Sequence, residues 1–273
     1  MSLTPIDTAL EQLRPLLPLI TEQESVLLEQ AAGRVLADDC VSPIDVPPHC
    51  NSAMDGYALK STDLESGNIQ LKITQRIAAG EVGRQLNSGE AARIFTGAPV
   101  PEGADAVVMQ ENCKASGDVL CVLQQHVKPG ENLRLAGDDI QAGALVLAKG
   151  RRLKPQDIGL LASIGLESVS VIRRLRVSLL TTGDELVQPG TKLKAGQIYN
   201  SNYFTLHALL KSLQVEVLDC GIVADDFEGT RRALVAAAER SDCVITTGGV
   251  SVGEEDHVKA VVEQEGELQL WKL

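Results

Sequence analysis

The apolar positions of this 273-residue chain change period along its length, and each change predicts a change of architecture. From Pro5 to about Gly33 the spacing is helical. Leu10, Leu13, Leu16, Leu17 and Ile20 fall on one face, and a second helical segment starts at Thr21 with Val26, Leu27, Leu28 and Ala31 inside it. The run Val41-Ser42-Pro43-Ile44-Asp45-Val46-Pro47-Pro48 holds too much proline for a helix or a central strand, and predicts a stiff connector at a domain boundary. Residues 51–137 read as mainly β. Short runs such as Leu71-Lys72-Ile73-Thr74, Ala106-Val107-Val108-Met109 and Val119-Leu120-Cys121-Val122 alternate with glycine turns at Gly80, Gly83, Gly89, Gly103 and Gly117, the pattern of a small barrel or sandwich. Residues 143–151 and 158–172 bridge to the next region, with Pro155 at a helix start.

From Leu175 strands and helices alternate. Val177-Ser178-Leu179-Leu180, Val215-Glu216-Val217-Leu218 and Cys243-Val244-Ile245 are strands of the buried type, and residues 203–213 and 230–240 have helical spacing between them. This alternation predicts βαβ units and a parallel sheet, whose ligands bind beyond the carboxyl ends of the strands. Acids follow all three strands: Asp184 and Glu185, Asp225 and Asp226, then Glu254, Glu255 and Asp256. Helix capping accounts for Asp226 or Glu254 taken singly, because acids favour a first helical turn. The three groups together point to a ligand or metal site.

The third strand runs into Thr246-Thr247-Gly248-Gly249-Val250-Ser251-Val252-Gly253. Glycines allow sharp turns and bring backbone N–H groups close to an oxyanion. The carboxylates behind them repel a bare anion, by about 1 kcal/mol per pair in water and about 4 kcal/mol at a protein surface at roughly 4 Å. An anion that shares a divalent cation with those carboxylates resolves the conflict, so a Mg²⁺-bridged phosphate compound is the economical ligand.

Composition narrows the classes. Hydrophobic residues make up 44% and aromatics only 3%, so the core must be built from Leu, Val, Ile and Ala. A formal net charge of -12 argues against a general nucleic-acid or anionic-membrane partner. The four histidines are scattered and the six cysteines form no CxxC pair, which predicts reduced thiols rather than a zinc site or disulfide framework. The polar N-terminus, with Asp7 and Glu11, has no signal-peptide core, and no apolar run approaches membrane-spanning length. A soluble, cytoplasmic protein is expected. No GxGxxG follows any strand, which argues against a nicotinamide site.

Five long motifs carry a family resemblance. They are Asn51-Ser52-Ala53-Met54-Asp55-Gly56-Tyr57-Ala58, Phe95-Thr96-Gly97-Ala98-Pro99-Val100-Pro101, Asn132-Leu133-Arg134 through Gly137-Asp138-Asp139-Ile140, Thr182-Gly183-Asp184-Glu185-Leu186, and Gly248-Gly249-Val250-Ser251-Val252-Gly253. With them the chain resembles the molybdopterin molybdenumtransferases, MoeA in bacteria and the gephyrin E-domain in animals, from about Thr8 to Leu273. The resemblance implies an α/β plus mainly-β protein: a parallel three-layer, MogA/MoaB-like α/β domain, incomplete here, an extended linking domain and an inserted β-rich, barrel-like domain. The implied boundaries are 1–22 for an N-terminal helix packing on the α/β domain, 23–50 and 141–172 for the linking domain, 51–140 for the inserted domain and 173–273 for the molybdopterin-binding α/β domain. It also implies a Mg²⁺-dependent transferase of molybdenum cofactor biosynthesis, inserting molybdate into adenylated molybdopterin with release of AMP. The implied assembly is a homodimer, with other proteins of the same pathway as further partners.

Matching positions imply residue roles. Asp55, Asp139, Glu185, Asp225 and Asp256 take catalytic places, and Glu185, Asp225 and Asp256 also hold Mg²⁺. Thr96, Arg134, Thr182, Gly183, Gly248, Gly249, Ser251 and Gly253 bind substrate. Simpler readings stand beside some of these. Asp55-Gly56 and Thr96-Gly97 are good turn pairs, Asp139 can cap a turn, and Asp184 and Asp226 suit helix caps. Asp138 stands where the family usually has Glu, and Leu135 and Ala136 where relatives are often basic, which thins any basic patch around Arg134.

Relatives continue past Leu273 with a lysine- and proline-rich loop, a proline-glycine-asparagine-proline loop and a small β domain. The expectation is therefore a truncated chain, inactive or nearly so alone, with residues 267–271 as a strand near an open edge. The alternative function is a molybdopterin-binding or scaffold protein without turnover. The related adenylyltransferase is disfavoured, because it lacks a segment like residues 51–139.

Overall fold

A computed structural model describes residues 5–65, 70–124, 126–248 and 257–268. The chain divides into two compact units, Met1–Glu24 with Val171–Leu273, and Ser25–Ser170.

The first unit is built on three parallel strands. Arg176–Thr182 is central, with Glu216–Val223 on one side and Cys243–Thr247 on the other. The central strand is buried from Val177 to Thr182, which explains its continuous apolar run. Helices cover both faces. The Ser178 hydroxyl points to the carbonyl of Ala237 in the helix Phe227–Arg240, whereas Thr181, on the opposite face by strand alternation, is bonded by Asn200 at the start of the helix Ser201–Ser212. These are the three layers of an α/β fold. Asn200 and Asp226 cap the two helices, accepting from the amides of Tyr203 and Gly229. A third helix, His257–Glu265, packs beside Phe227–Arg240. The predicted strand at residues 267–271 lies largely outside the described residues.

An ion-pair cluster ties this unit together at the other end of the sheet. Arg173 donates to both carboxylate oxygens of Asp242, at 2.7 and 2.8 Å, and to Glu22 at 3.1 Å. Asp242 Oδ2 also accepts from the amide of Arg176 at 2.8 Å, which fixes the start of the central strand. At the N-terminus the helix Ile6–Leu13 buries Ala9 but leaves Leu10, Leu16 and Leu17 of the predicted apolar face exposed.

The second unit holds a six-stranded, mainly antiparallel sheet. Its order is Ala106–Met109, Gly56–Leu59, Glu90–Ile94, Gln70–Ile77, Val119–Val122, Cys113–Ser116. Both faces are apolar: one carries Leu59, Leu71, Ala91, Val108 and Leu120, the other Ile77, Leu86, Ala92, Ile94 and Val107. Short residues from alternate positions fill both layers, so the scarcity of aromatics costs no packing. The helix Pro155–Ser163 starts at proline as its pattern predicts.

Two local expectations need correction. Residues 23–27 form a strand, Gln23–Leu27, rather than helix, in a sheet with Ser168–Ile172 and Val35–Leu36. Pro15 and Pro18 interrupt the helical register, and pairing with residues distant in sequence outweighs a spacing that suited either state. Gly56 is a strand residue rather than half of a turn. A Cβ there would sit 2.1 Å from the carbonyl oxygen of Val108, so glycine is required by the close approach of the neighbouring strand.

Candidate functional site

The carboxyl ends of the parallel strands meet in register, with Thr182 beside Val223 and Thr181 beside Thr247. A cleft of about 140 Å³ opens at this edge, lined by Thr182, Glu185, Asn200, Asn202, Thr247 and Gly248 among others. Thr182 is buried, and its hydroxyl has no hydrogen-bond partner among the described residues. An unsatisfied buried hydroxyl costs on the order of 1–3 kcal/mol, and such groups concentrate where a ligand or ion completes them.

The glycines of the two motifs are used sterically. Gly248 has φ +94°, and a Cβ on it would lie 2.5 Å from the Thr182 carbonyl oxygen and 2.6 Å from its Oγ1. Only glycine lets the chain leave the third strand against the end of the first. Gly183, at φ +144°, sits under Glu185: a Cβ there would lie 2.5 Å from Glu185 Oε2. The Glu185 carboxylate is thereby folded back over the end of its own strand.

Asp225 follows the second strand and is half-buried, its amide donating to Asp184 Oδ1 at 3.3 Å. Asp184 thus ties two strand ends together instead of capping a helix, while Asp226 is a helix cap, accepting from the Gly229 amide at 2.6 Å. Gly249, Ser251, Gly253 and Asp256 lie outside the described residues. Among the described residues no group of three or more His, Cys, Asp and Glu is placed to hold a metal ion.

Asn200 and Asn202 belong to this edge although the sequence argument passes them by. Asn200 is buried, and its Nδ2 donates to Thr181 Oγ1 at 3.0 Å while Oδ1 caps the helix. Asn202 Nδ2 donates to Thr247 Oγ1 at 3.0 Å. Together they pin the first turn of the helix Ser201–Ser212 to the ends of two strands. The sequence signal was present: Asn200-Ser201-Asn202 directly precedes a helical pattern, which is cap chemistry.

In the second unit three of the five motifs converge on one short strand. Asn51–Ser52 pairs with Leu133–Arg134 on one side and bridges to Pro99 on the other. Asp55 Oδ1 accepts from both the amide and the hydroxyl of Thr96, at 2.8 and 2.7 Å. These bonds, the amide first, hold the Asp55 carboxyl below its ordinary range. Gly97 at φ +81° closes the 95–98 turn, whose Ala98 amide bonds to the Phe95 carbonyl. The turn reading of Thr96-Gly97 is therefore realised, and Asp55 locks that turn while its Oδ2 holds no hydrogen bond among the described residues. Arg134 is ion-paired to Asp139, both half-exposed. Asp138 accepts from the amide of Leu135 and closes the turn between them.

Comparison with known proteins agrees with this architecture. Residues 4–165 match the family model described as the MoeA N-terminal region (domain I and II), and residues 178–273 match the model of a "Probable molybdopterin binding domain". A Haemophilus influenzae protein named molybdopterin molybdenumtransferase is 42% identical over 98% of this chain and 66% of its own length. A protein of the same name from Nostoc sp. is 39% identical over 90% of this chain and 57% of its own. The chain thus spans two thirds or less of the curated relatives it matches. The crystal structure of the molybdopterin biosynthesis MoeA protein from Pyrococcus horikosii superposes with a TM-score of 0.83 at 34% identity, covering 98% of this chain and 68% of that one. On its family models, its relatives and its fold, this chain belongs to the MoeA family.

Proposed function

We propose that this chain acts in molybdenum cofactor biosynthesis as a molybdopterin molybdenumtransferase, taking adenylated molybdopterin and molybdate and releasing AMP. The observation that carries the reading is the buried Thr182 hydroxyl, without a partner among the described residues, facing side-chain-free Gly248 in a cleft that Glu185 also lines. A parallel sheet places its ligand at this edge, and the orphaned donor is what a phosphate oxygen satisfies.

The donors suit Mg²⁺. They are all oxygens, and this ion is held by one or two carboxylates plus substrate phosphates rather than by an all-protein cage. Glu185, Asp225 and Asp256 would hold it, and when bound it supplies neutralising charge to the phosphates. The chain's own groups then orient the substrate: Thr182 and the 248–253 backbone bind the pterin-side phosphate, and Gly183 keeps the Glu185 carboxylate at the cleft. Asp55, Thr96, Arg134 and Asp139 are proposed as the contribution of the second unit to substrate binding. Their reading is supported by the convergence of three motifs on Asn51–Ser52 and by Asp55 Oδ2, which holds no hydrogen bond among the described residues.

A homodimer is proposed, supported by Ile6, Leu10, Leu17 and Leu19, which are 50 to 90% exposed on the N-terminal segment. Other proteins of the pathway are proposed as partners and the cytoplasm as the compartment. A net charge of -12 speaks against nucleic acid, and no helix among the described residues is long and apolar enough to cross a membrane. The test is AMP release from adenylated molybdopterin with molybdate and Mg²⁺. AMP release by the chain supports the reading, and Glu185→Gln and Asp256→Ala are then expected to lose that release while circular dichroism stays unchanged. Full release by Asp256→Ala sinks the assignment.

A further inference from the structure

The six-stranded sheet of the second unit carries a basic and aromatic cluster that none of the roles above uses. Arg76 and Arg93 are directly opposed on neighbouring parallel strands. Both guanidiniums lie over the ring of Phe95, at 4.5 and 4.6 Å from its centroid, and Arg93 also lies 5.2 Å from the centroid of Tyr57. Like charges set directly across a sheet are unfavourable, and the shared ring offsets only part of that. Arg93 is oriented by neutral acceptors, the Gly56 carbonyl at 2.8 Å and Gln110 Oε1 at 2.6 Å. Asp55, whose carboxyl feels the Arg93 charge, is engaged with Thr96. Arg76 is exposed and has no hydrogen bond or ion pair among the described residues. A third arginine, Arg84, crosses the same strand, donating to the Thr74 carbonyl at 3.0 Å, and the buried Thr74 hydroxyl has no partner among the described residues.

From this we propose that Arg76, held by Phe95 beside Arg93, is a binding site for a tetrahedral dianion of the molybdate or phosphate class. The ring contact restrains the Arg76 guanidinium while its N–H donors hold no protein acceptor among the described residues, and such a fork can grip two oxygens of one anion. A bound dianion also cancels the repulsion between the opposed arginines, which explains why an acidic chain keeps them there without carboxylate partners. The proposal stands whether or not the chain transfers molybdenum.

The test follows the side-chain Nε–H signals of arginine by ¹⁵N NMR on the full chain. The Arg76 signal is the one lost in Arg76→Gln. Sodium molybdate and inorganic phosphate are each expected to move it saturably, and chloride at matched ionic strength is not. AMP moving the same signal identifies a phosphate ester as the natural source, and a response to molybdate alone identifies the free metallate. Phe95→Leu keeps both charges and is expected to weaken dianion binding roughly two- to fivefold, the worth of an exposed cation–π contact. An Arg76 signal that moves no further with dianion than with chloride, or an affinity unchanged in Phe95→Leu, overturns the proposal.

Discussion

Replacing Asp242 by Asn tests how the α/β unit is held together. The carboxylate accepts both Arg173 bonds and the Arg176 amide, and its side chain retains 22% exposure. The Arg173 bonds foremost, with the Arg176 amide, bring its pKa from 3.8 to about 2 against the opposing cost of burial. A shift of that size corresponds to about 2 kcal/mol after allowance for the remaining solvent contact. The folded-state value lies below the unfolded one, so this stability is complete above about pH 4 and is lost as pH falls through about 2. Asp242→Asn is therefore expected to be about 2 kcal/mol less stable at neutral pH, with the gap narrowing to roughly half by about pH 3. Urea unfolding followed by far-UV circular dichroism reads it, because the long helices Ser201–Ser212 and Phe227–Arg240 both belong to this unit. A gap below about 0.5 kcal/mol at neutral pH, or one that does not narrow on acidification, refutes the reasoning.

Two further substitutions separate the site from the scaffold. Thr182→Val replaces a buried hydroxyl, without a partner among the described residues, by a methyl of the same shape, so stability is expected to hold or rise by about 1 kcal/mol in thermal melts, while AMP release falls at least tenfold. A loss of stability there would show that the hydroxyl is satisfied in the free protein. Gly56→Ala drives a Cβ into the backbone of the strand Ala106–Met109 and is expected to cost about 2 kcal/mol or more, read as a lower urea midpoint; an unchanged midpoint would contradict the strand spacing.

The alternation of buried strands and helices after Leu175 determined the parallel sheet, and βαβ logic pointed to the carboxyl ends of its strands as the edge for a ligand. Proline content likewise located the helix start at Pro155. These features are local: they depend on period and on backbone restrictions that each residue carries with it. The motifs named the family for the same reason, since identity along the chain needs no geometry. What tertiary structure alone decided is non-local. The strand Gln23–Leu27 exists because Ser168–Ile172 pairs with it, and no spacing within the segment contains that partner. Gly56 is required by a carbonyl on another strand, Asn200 and Asn202 reach the site because helix packing brings them to Thr181 and Thr247, and Arg76 meets Arg93 only through sheet register. The physical reason is the same in each case: local propensities are worth a few tenths of a kcal/mol per residue, and pairing, packing and close approach between distant segments outweigh them.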